Sequence, residues 1–576
     1  MKEINSAMNS KDLSMAMDSG SNYKFYRGTE SPTIPRSSGN LSYTNTFSAN
    51  EGQLIPCWTQ HTLFSSDYKC RVSSVVRVVN PPVVPLMSRQ RIYFNSFWAS
   101  YSQLWKDAQI FFTKSKSSTT SPRKLIPYIA LSSWKRGDLA DYLGFCFDSK
   151  KDTYVRVPAL KFMLYLRIYR DYFANQRFWS SELDRLIAEG DSDAQLIKNF
   201  VFPDDDSEFR IGTSAWNALT QSCIDKLFMS VQYRNWTDDY FTKAQLTPLY
   251  SDTIPSVPLL ATFSSGHIEM NGEHEKLGGD KKNVSTLFDH RGTRVLGLDS
   301  SSSDFSISEF IDSFNNTAEI KLDNTSVTGL TIDAIRKCAC DTAILEKMAK
   351  VNGSYKEFAR VIFGETPRSS MDYTPLYIGG TYQNIEFSTV VNSSGYGVQG
   401  QLSGLGMSSG NSDIGTFHSD DFGISMTICC IMPDTYYCQG WNKTDLYMTS
   451  DDFFYPERAG LGMQPITLSE IYKTGDPIND DKVFGYQNRF DELRYRPNEV
   501  HGKVADKESE SFFPYIQTRY FQSAPTLSPS FVSTQGTIPK DWLSVTEEIP
   551  YLVQVSNICE ATHPVPYRAK ENNLGF

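Results

Sequence analysis

The chain has little charge for its length and no excess of positive charge. Charged residues make up 21% of its 576 positions, and 56 lysines and arginines stand against 66 acidic residues, a formal charge of −10. A basic footprint over the whole chain is therefore excluded, and any contact with nucleic acid has to come from a local patch. Long apolar runs are missing too. The amino-terminal MKEINSAMNSKDLSMAMDSG has no stretch that serves as a secretory signal. The longest apolar stretch, from about Phe422 to Met432, is far too short to cross a bilayer. The expectation is a soluble protein made and used inside a cell. The ten cysteines lack zinc and redox spacings: Cys338 and Cys340 are two apart, and Cys429 and Cys430 are adjacent. Reduced, mostly buried thiols follow. Triplets of the N-x-S/T type, such as Asn235-Trp236-Thr237, carry no weight without secretion. No internal repeat of fixed period occurs.

Aromatic residues are what the chain does have: 31 Tyr and 36 Phe supply a large core and material for contacts between subunits. Length alone suggests about four average domains, but one β-core with long insertions satisfies it equally. Residues 1 to about 50 are polar, rich in Ser and Asn, and predict an arm that cannot form its own core. DYKCRVSSVVRVV from Asp67, closed by Asn80-Pro81-Pro82, predicts a strand and a break, and RIYFNSFWA (91–99) predicts another strand. Leu104, Trp105, Ala108, Phe111 and Phe112 share one face at helical spacing. A second helix is expected from Pro158 onward. The clearest helical pair is over 331–364. There Asn352-Gly353 stops the first helix and Ser354-Tyr355-Lys356-Glu357 forms a capping box for the second, which ends at Gly364. Later strands are expected at 385–391, 422–432 and 551–558. Strands separated by long irregular connections fit a sandwich or jelly roll better than βαβ units.

Several motifs invite a chemical reading. Gly406-Met407-Ser408-Ser409-Gly410 matches the nucleophile elbow G-x-S-x-G, with His418 and Asp420 nearby. The flanks VQGQLSGL and NSDIGTFHSDD supply neither the strand nor the helix that an elbow needs, so a flexible Gly/Ser loop is expected instead. Gly404-x-Gly406 fails as a dinucleotide fingerprint for the same want of a helix. His267, Glu269, Glu273 and His274 hold metal-ligating atoms without a known spacing, and a solvated loop explains them as well. Asp204-Asp205-Asp206 with Glu208 lacks the ligand alternation of an EF-hand. Lys114, Lys116, Arg123 and Lys124 form the most basic run free of acids, just after Phe111 and Phe112. Such a run can neutralise phosphates beside stacking aromatics, and it equally describes a solvated loop.

Five aromatic, proline-punctuated blocks run through the chain in order. They are WTDDYFTKAQLTP (236–248), TIDAIRKCACDTAILEKMAKVNGSYKEFARVIFGETPRSSMDYTPLYIGG (331–380), GWNKTDLYMTSDDFFYPERAGLGMQPI (440–466), VFGYQNRFDELRYRP (483–497) and PYLVQVSNICEATHPVPY (550–567). Together these resemble the major capsid protein of the microviruses, small single-stranded DNA phages, and especially the gokushovirus branch. The resemblance spans most of the chain beyond about residue 55. It implies an eight-stranded antiparallel jelly roll with long, partly helical insertions over 51–576, and no enzymatic role or cofactor. It also implies self-assembly, through pentamers, into a T=1 icosahedral shell around a circular single-stranded DNA genome. The implied partners are a scaffolding protein, a DNA pilot protein and a host surface receptor, with assembly in the bacterial cytoplasm and residence in the virion capsid. Two segments depart from the pattern: the amino-terminal arm, and residues 255–327, which sit where gokushovirus capsid proteins carry a variable surface projection. A carbohydrate-binding β-sandwich or phage adhesin shares the strands, aromatics and loops, but a compact module with a separate stalk is not visible.

Overall fold

The computed structural model of the chain describes residues 35–104, 108–113, 126, 128–131, 135–145, 155–174, 230–248, 332–349, 355–365, 374–391, 402–458, 462–508 and 512–567, with the backbone of short strands between 261 and 327. These fall into two compact units, Met1–Leu246 with Asn352–Phe576, and Thr247–Val351.

The larger unit is organised by one antiparallel sheet. Its strands are β1 (Ser37–Asn40), β2 (Tyr43–Ala49), β3 (Ile55–Thr62), β4 (Ser66–Val78), β5 (Gln90–Ser100), β6 (Leu376–Val391), β7 (Leu402–Ser419), β8 (Gly423–Pro433) and β9 (Tyr551–His563). β1 and β2 lie end to end along β9, pairing Ser37 with His563 and Ala49 with Tyr551, so the nine strands fill eight positions. Across the sheet the order is β1/β2, β9, β4, β7, β6, β5, β8, β3. Numbered by position along the chain, first pairs with eighth, second with seventh, third with sixth and fourth with fifth. That nesting is a long hairpin rolled up on itself, which is the jelly roll expected from the resemblance.

The residues explain the strands. In β4, Tyr68, Cys70, Val72, Ser74, Val76 and Val78 are buried and alternate with more exposed neighbours, the period of a strand with one face on the core. β9 repeats the alternation with Tyr551, Val553, Val555, Asn557, Cys559 and Ala561. β8 is buried at every position. One face meets the core and α1 (Leu160–Ile168), itself buried at every position but Lys161, packs against the strand. A strand covered on both faces reads as a continuous apolar run.

Two segments differ from their sequence-based expectation. The Gly/Ser-rich stretch is not a loop from Leu402 onward but the long strand β7, paired with β6 and β4. Its glycines answer to close approach, not flexibility: a Cβ at Gly406 would clash with Val78 and Phe387, and one at Gly410 would come within 2.7 Å of Gln383. Of the expected arm, the part from residue 37 forms β1 and β2 on the sheet, where β9 supplies the core that the polar segment lacks.

α1 begins at Leu160, since Pro158 closes a short strand, Val155–Pro158. The helix expected around 104–112 is seen as Tyr101–Leu104 and Ala108–Thr113. α2 (Ile332–Ala349) and α3 (Tyr355–Phe363) occupy the two helical segments of 331–364. Asn352, Gly353 and Ser354 lie outside the described residues, and Gly364, with φ +76°, ends α3. In the smaller unit, Ile268–Glu275 and Lys281–Phe288 form an antiparallel hairpin, and Ala261–Phe263 pairs with Thr325–Val327.

Candidate functional site

The catalytic motif is dismantled by its place in the fold. Ser408 is buried in the middle of β7, opposite Val76, with no helix after it. His418 lies ten residues further along the same strand, about 33 Å away at the rise of an extended chain. There its Nδ1 meets Asp67 Oδ1 at 2.6 Å and its Nε2 meets Asp420 at 3.5 Å. The His418 hydrogen bond is the main reason that the Asp67 carboxyl titrates below its ordinary range. Ser408→Ala is accordingly expected to leave particle yield unchanged and to abolish no ester hydrolysis; a wild-type esterase activity lost on that substitution would contradict the geometry.

Glu269, Glu273 and His274 lie on the strand Ile268–Glu275, while His267, Asp204, Asp205, Asp206 and Glu208 are outside the described residues. Among the described residues no group of three His, Cys, Asp or Glu side chains could hold a metal ion. The basic run Lys114, Lys116, Arg123 and Lys124 is likewise outside them.

What the sequence blocks build is a second core. Tyr240, Phe241 and Ala244 from the 236–248 block, Ile466 from the 440–466 block and Phe484 from the 483–497 block pack with Tyr437, Phe531 and Val532. Arg519 is its buried hub. One guanidinium nitrogen donates to Tyr437 Oη at 3.1 Å and another to the Phe531 carbonyl at 2.6 Å, while the plane lies 4.2 Å from the Phe531 ring centroid. Tyr437 Oη donates to Asp239 Oδ2 at 2.6 Å, and Asp239 Oδ1 accepts from the backbone N–H groups of Phe241 and Thr242. Beside it Tyr240 donates to Glu470 Oε2 at 2.7 Å, and Lys443 pairs with Glu470 Oε1 at 2.9 Å. Burial, with the Glu470 charge second, pushes the Tyr240 phenol far above its ordinary value.

The 440–466 and 483–497 blocks, which send Ile466 and Phe484 into this core, also expose apolar side chains. Trp441, Phe453, Phe454, Tyr455 and Leu493 are exposed, and Met448 is 83% exposed. Yet the backbone beneath is fixed. Thr449 and Asp452 form a capping box, Arg458 pairs with Asp451 at 2.7 Å, and Tyr447 donates to Glu492 at 2.6 Å. Exposed aromatics on a braced framework have the composition of a protein-contact surface.

Comparison with known proteins gives the same answer. The family model described as "Capsid protein (F protein)" matches residues 29–569. The chain belongs to this phage capsid protein family. Capsid protein VP1 of Bdellovibrio phage phiMH2K is 22% identical over 559 residues, 93% of this chain and 95% of that protein. Capsid protein VP1 of Spiroplasma virus 4 is 22% identical over 527 residues, 87% and 88% of the two chains. Capsid protein VP1 of Chlamydia phage 1 is 26% identical over 257 residues, 43% of each. The role of the F-family chain is structural, as a self-assembling capsid protein of the virion. Sequence reasoning found this through the aromatic blocks but missed that three of them share one core. Nothing in their spacing announces Arg519 or Tyr437, which come from other segments of the chain.

Proposed function

We propose that this capsid protein is the repeating unit of a T=1 icosahedral shell around a circular single-stranded DNA genome. It assembles through pentamers in the bacterial cytoplasm with a scaffolding protein and a DNA pilot protein. The observation that supports this most is the eight-position jelly-roll order in a chain matched by the capsid family over residues 29–569. A jelly roll suits the task because its connecting segments can become interfaces while the sheet stays fixed. The apolar surface around Met448 then lies in a contact between copies, and Lys114, Lys116, Arg123 and Lys124 contribute a local genome contact. Electron microscopy of purified particles with their genome tests the reading: closed shells of one size are expected, and a chain that yields only filaments or monomers when its phage is propagated would refute it.

Residues 255–327, which lie within the compact unit Thr247–Val351, are proposed as an exterior projection that meets a host surface receptor. Support comes from the separation of that unit and from the segment's Gly-, Ser-, Asn- and Asp-rich sequence. Phe263 and Thr325 are register partners, so the chain enters and leaves the inner part at adjacent points. Replacing residues 264–324 by a short Gly/Ser linker is therefore expected to preserve closed particles and to cut attachment to host cells at least tenfold. Shortening a loop between fixed ends changes closure entropy little, about 0.6 kcal/mol per doubling of length. A soluble variant that forms no shell would put the segment in the shell wall.

A further inference from the structure

The seam of the jelly roll is not closed by a backbone ladder. β2 and β3 stand at the two ends of the strand order, and side chains reach across between them. Asn45 Nδ2 and Asn557 Nδ2 both donate to the Cys57 carbonyl, at 3.1 and 3.2 Å, and Tyr142 Oη donates to the Ser48 carbonyl at 2.8 Å. These wedges satisfy edge groups that would otherwise invite another strand. They also leave a cavity of about 720 Å³. Tyr43 and Tyr142, which keep part of their surface accessible, line it beside the buried Phe47 and Trp58, together with two cations, Arg136 and Lys161.

Lys161 is the informative member. It projects from α1 as that helix's one position that is not fully buried, donates to the Leu143 carbonyl at 3.3 Å and lies over the Phe145 ring at 5.1 Å. Among the described residues it has no carboxylate partner. The one acidic lining residue, Asp141, is held by Arg136 at 2.5 Å and by the Gly137 N–H at 3.1 Å. Burial keeps the Lys161 ammonium below its ordinary pKa. A half-buried cation without a counter-charge is unfavourable, and an anion entering the cavity relieves it.

We propose that the seam cavity binds a nucleotide of the single-stranded genome, with a backbone phosphate on Lys161 and a base against the aromatic wall. This rests on the reading of the chain as the shell of a single-stranded DNA phage. A cation without a carboxylate partner beside the accessible rings of Tyr43 and Tyr142 matches the needs of an unpaired nucleotide, whose charge is neutralised and whose base stacks. An acidic peptide would use Lys161 and leave the rings idle. The volume is also that of a site for a small organic ligand. Because the chain is acidic overall, genome contact has to come from local patches, of which this is one and the Lys114–Lys124 run is another.

The test is binding of fluorescent oligo(dT) to the purified full-length capsid protein across a salt series, with Lys161→Met and Lys161→Arg beside wild type. Methionine keeps an apolar stem against Phe145. Binding about five- to tenfold weaker, with a salt slope reduced by about 0.7, is expected for Lys161→Met, and near-normal binding for Lys161→Arg. Photocrosslinking of a bromodeoxyuridine oligonucleotide to wild type should label the peptides holding Tyr43 or Tyr142, which keeps the site testable if a variant misfolds. Thymidine monophosphate should compete better than inorganic phosphate. Equal competition by inorganic phosphate would reduce the site to an anion hole, and competition by poly-glutamate with none by oligo(dT) would assign it to a neighbouring chain; either overturns the proposal. So does unchanged affinity and slope in a folded Lys161→Met protein. If those negatives come from a protein that still forms DNA-filled particles, the cavity assignment alone fails; empty or absent particles from wild type would fail the shell reading instead.

Discussion

Arg519→Met should destabilise the unassembled protein by about 3–5 kcal/mol, the usual cost of removing one partner from a buried charged network. Arg519 is 4% exposed and Asp239 5% exposed, and Tyr437 links them through two hydrogen bonds. Removing the guanidinium leaves the Asp239 carboxylate buried without its opposite charge, and the Phe531 carbonyl loses its 2.6 Å donor. It also strips a planar cation from between Trp236 and Phe531, whose ring centroids lie 5.0 and 4.2 Å away. Lysine at 519 keeps the charge but lacks the fork and the plane, so it should fall between methionine and wild type. Soluble yield and thermal midpoint measure the effect, and particle formation should fail in the same order. A methionine variant that melts with wild type would show that the second core does not depend on this residue. Because the blocks that pack into this core also carry the apolar residues around Met448, assembly is expected to be lost even in variants that remain soluble.

The parts of the fold that were legible are those where one face decides the residue type. β4 and β9 alternate because one side meets the core, and β8 is mostly apolar and buried throughout because both sides are covered, so all three could be read directly. β7 could not, because its Gly406 and Gly410 are chosen for close approach to Val78, Phe387 and Gln383, and close approach resembles loop composition in sequence. β1 and β2 were hidden for a different reason. They are polar edge strands whose order is supplied by β9, more than five hundred residues away. The candidate site followed the same rule. Aromatic blocks signalled a contact-rich protein, whereas Arg519 and Glu51 owe their roles to neighbours such as Tyr437 and Tyr551, distant in sequence.

Glu51 gives the second large effect, as a pH dependence of stability. Its carboxyl is buried between the end of β2 and the start of β3. Gln90 Nε2, Gln517 Nε2 and Tyr551 Oη donate to its Oε1 at 2.8, 2.9 and 2.9 Å, while its Oε2 has no hydrogen-bond partner. Desolvation outweighs those three donors and the Lys540 charge, and raises the pKa from 4.5 to about 7. In the unfolded chain the proton leaves near pH 4.5; in the native protein it stays until about pH 7. The native state therefore binds more protons between these values, and stability falls as pH rises through that window. At about 1.4 kcal/mol per pH unit the loss amounts to about 3 kcal/mol per chain by pH 8. Glu51→Gln should mimic the protonated form, since an amide oxygen can still accept the three donors. It is expected to match wild type near pH 4.5, to exceed it by about 3 kcal/mol at pH 8, and to flatten the pH profile of unfolding between. Denaturant unfolding of both proteins at pH 5, 6, 7 and 8 reads this directly. Parallel profiles for the two would mean that Glu51 is already ionised at pH 5, with its charge carried by Lys540 and the three donors.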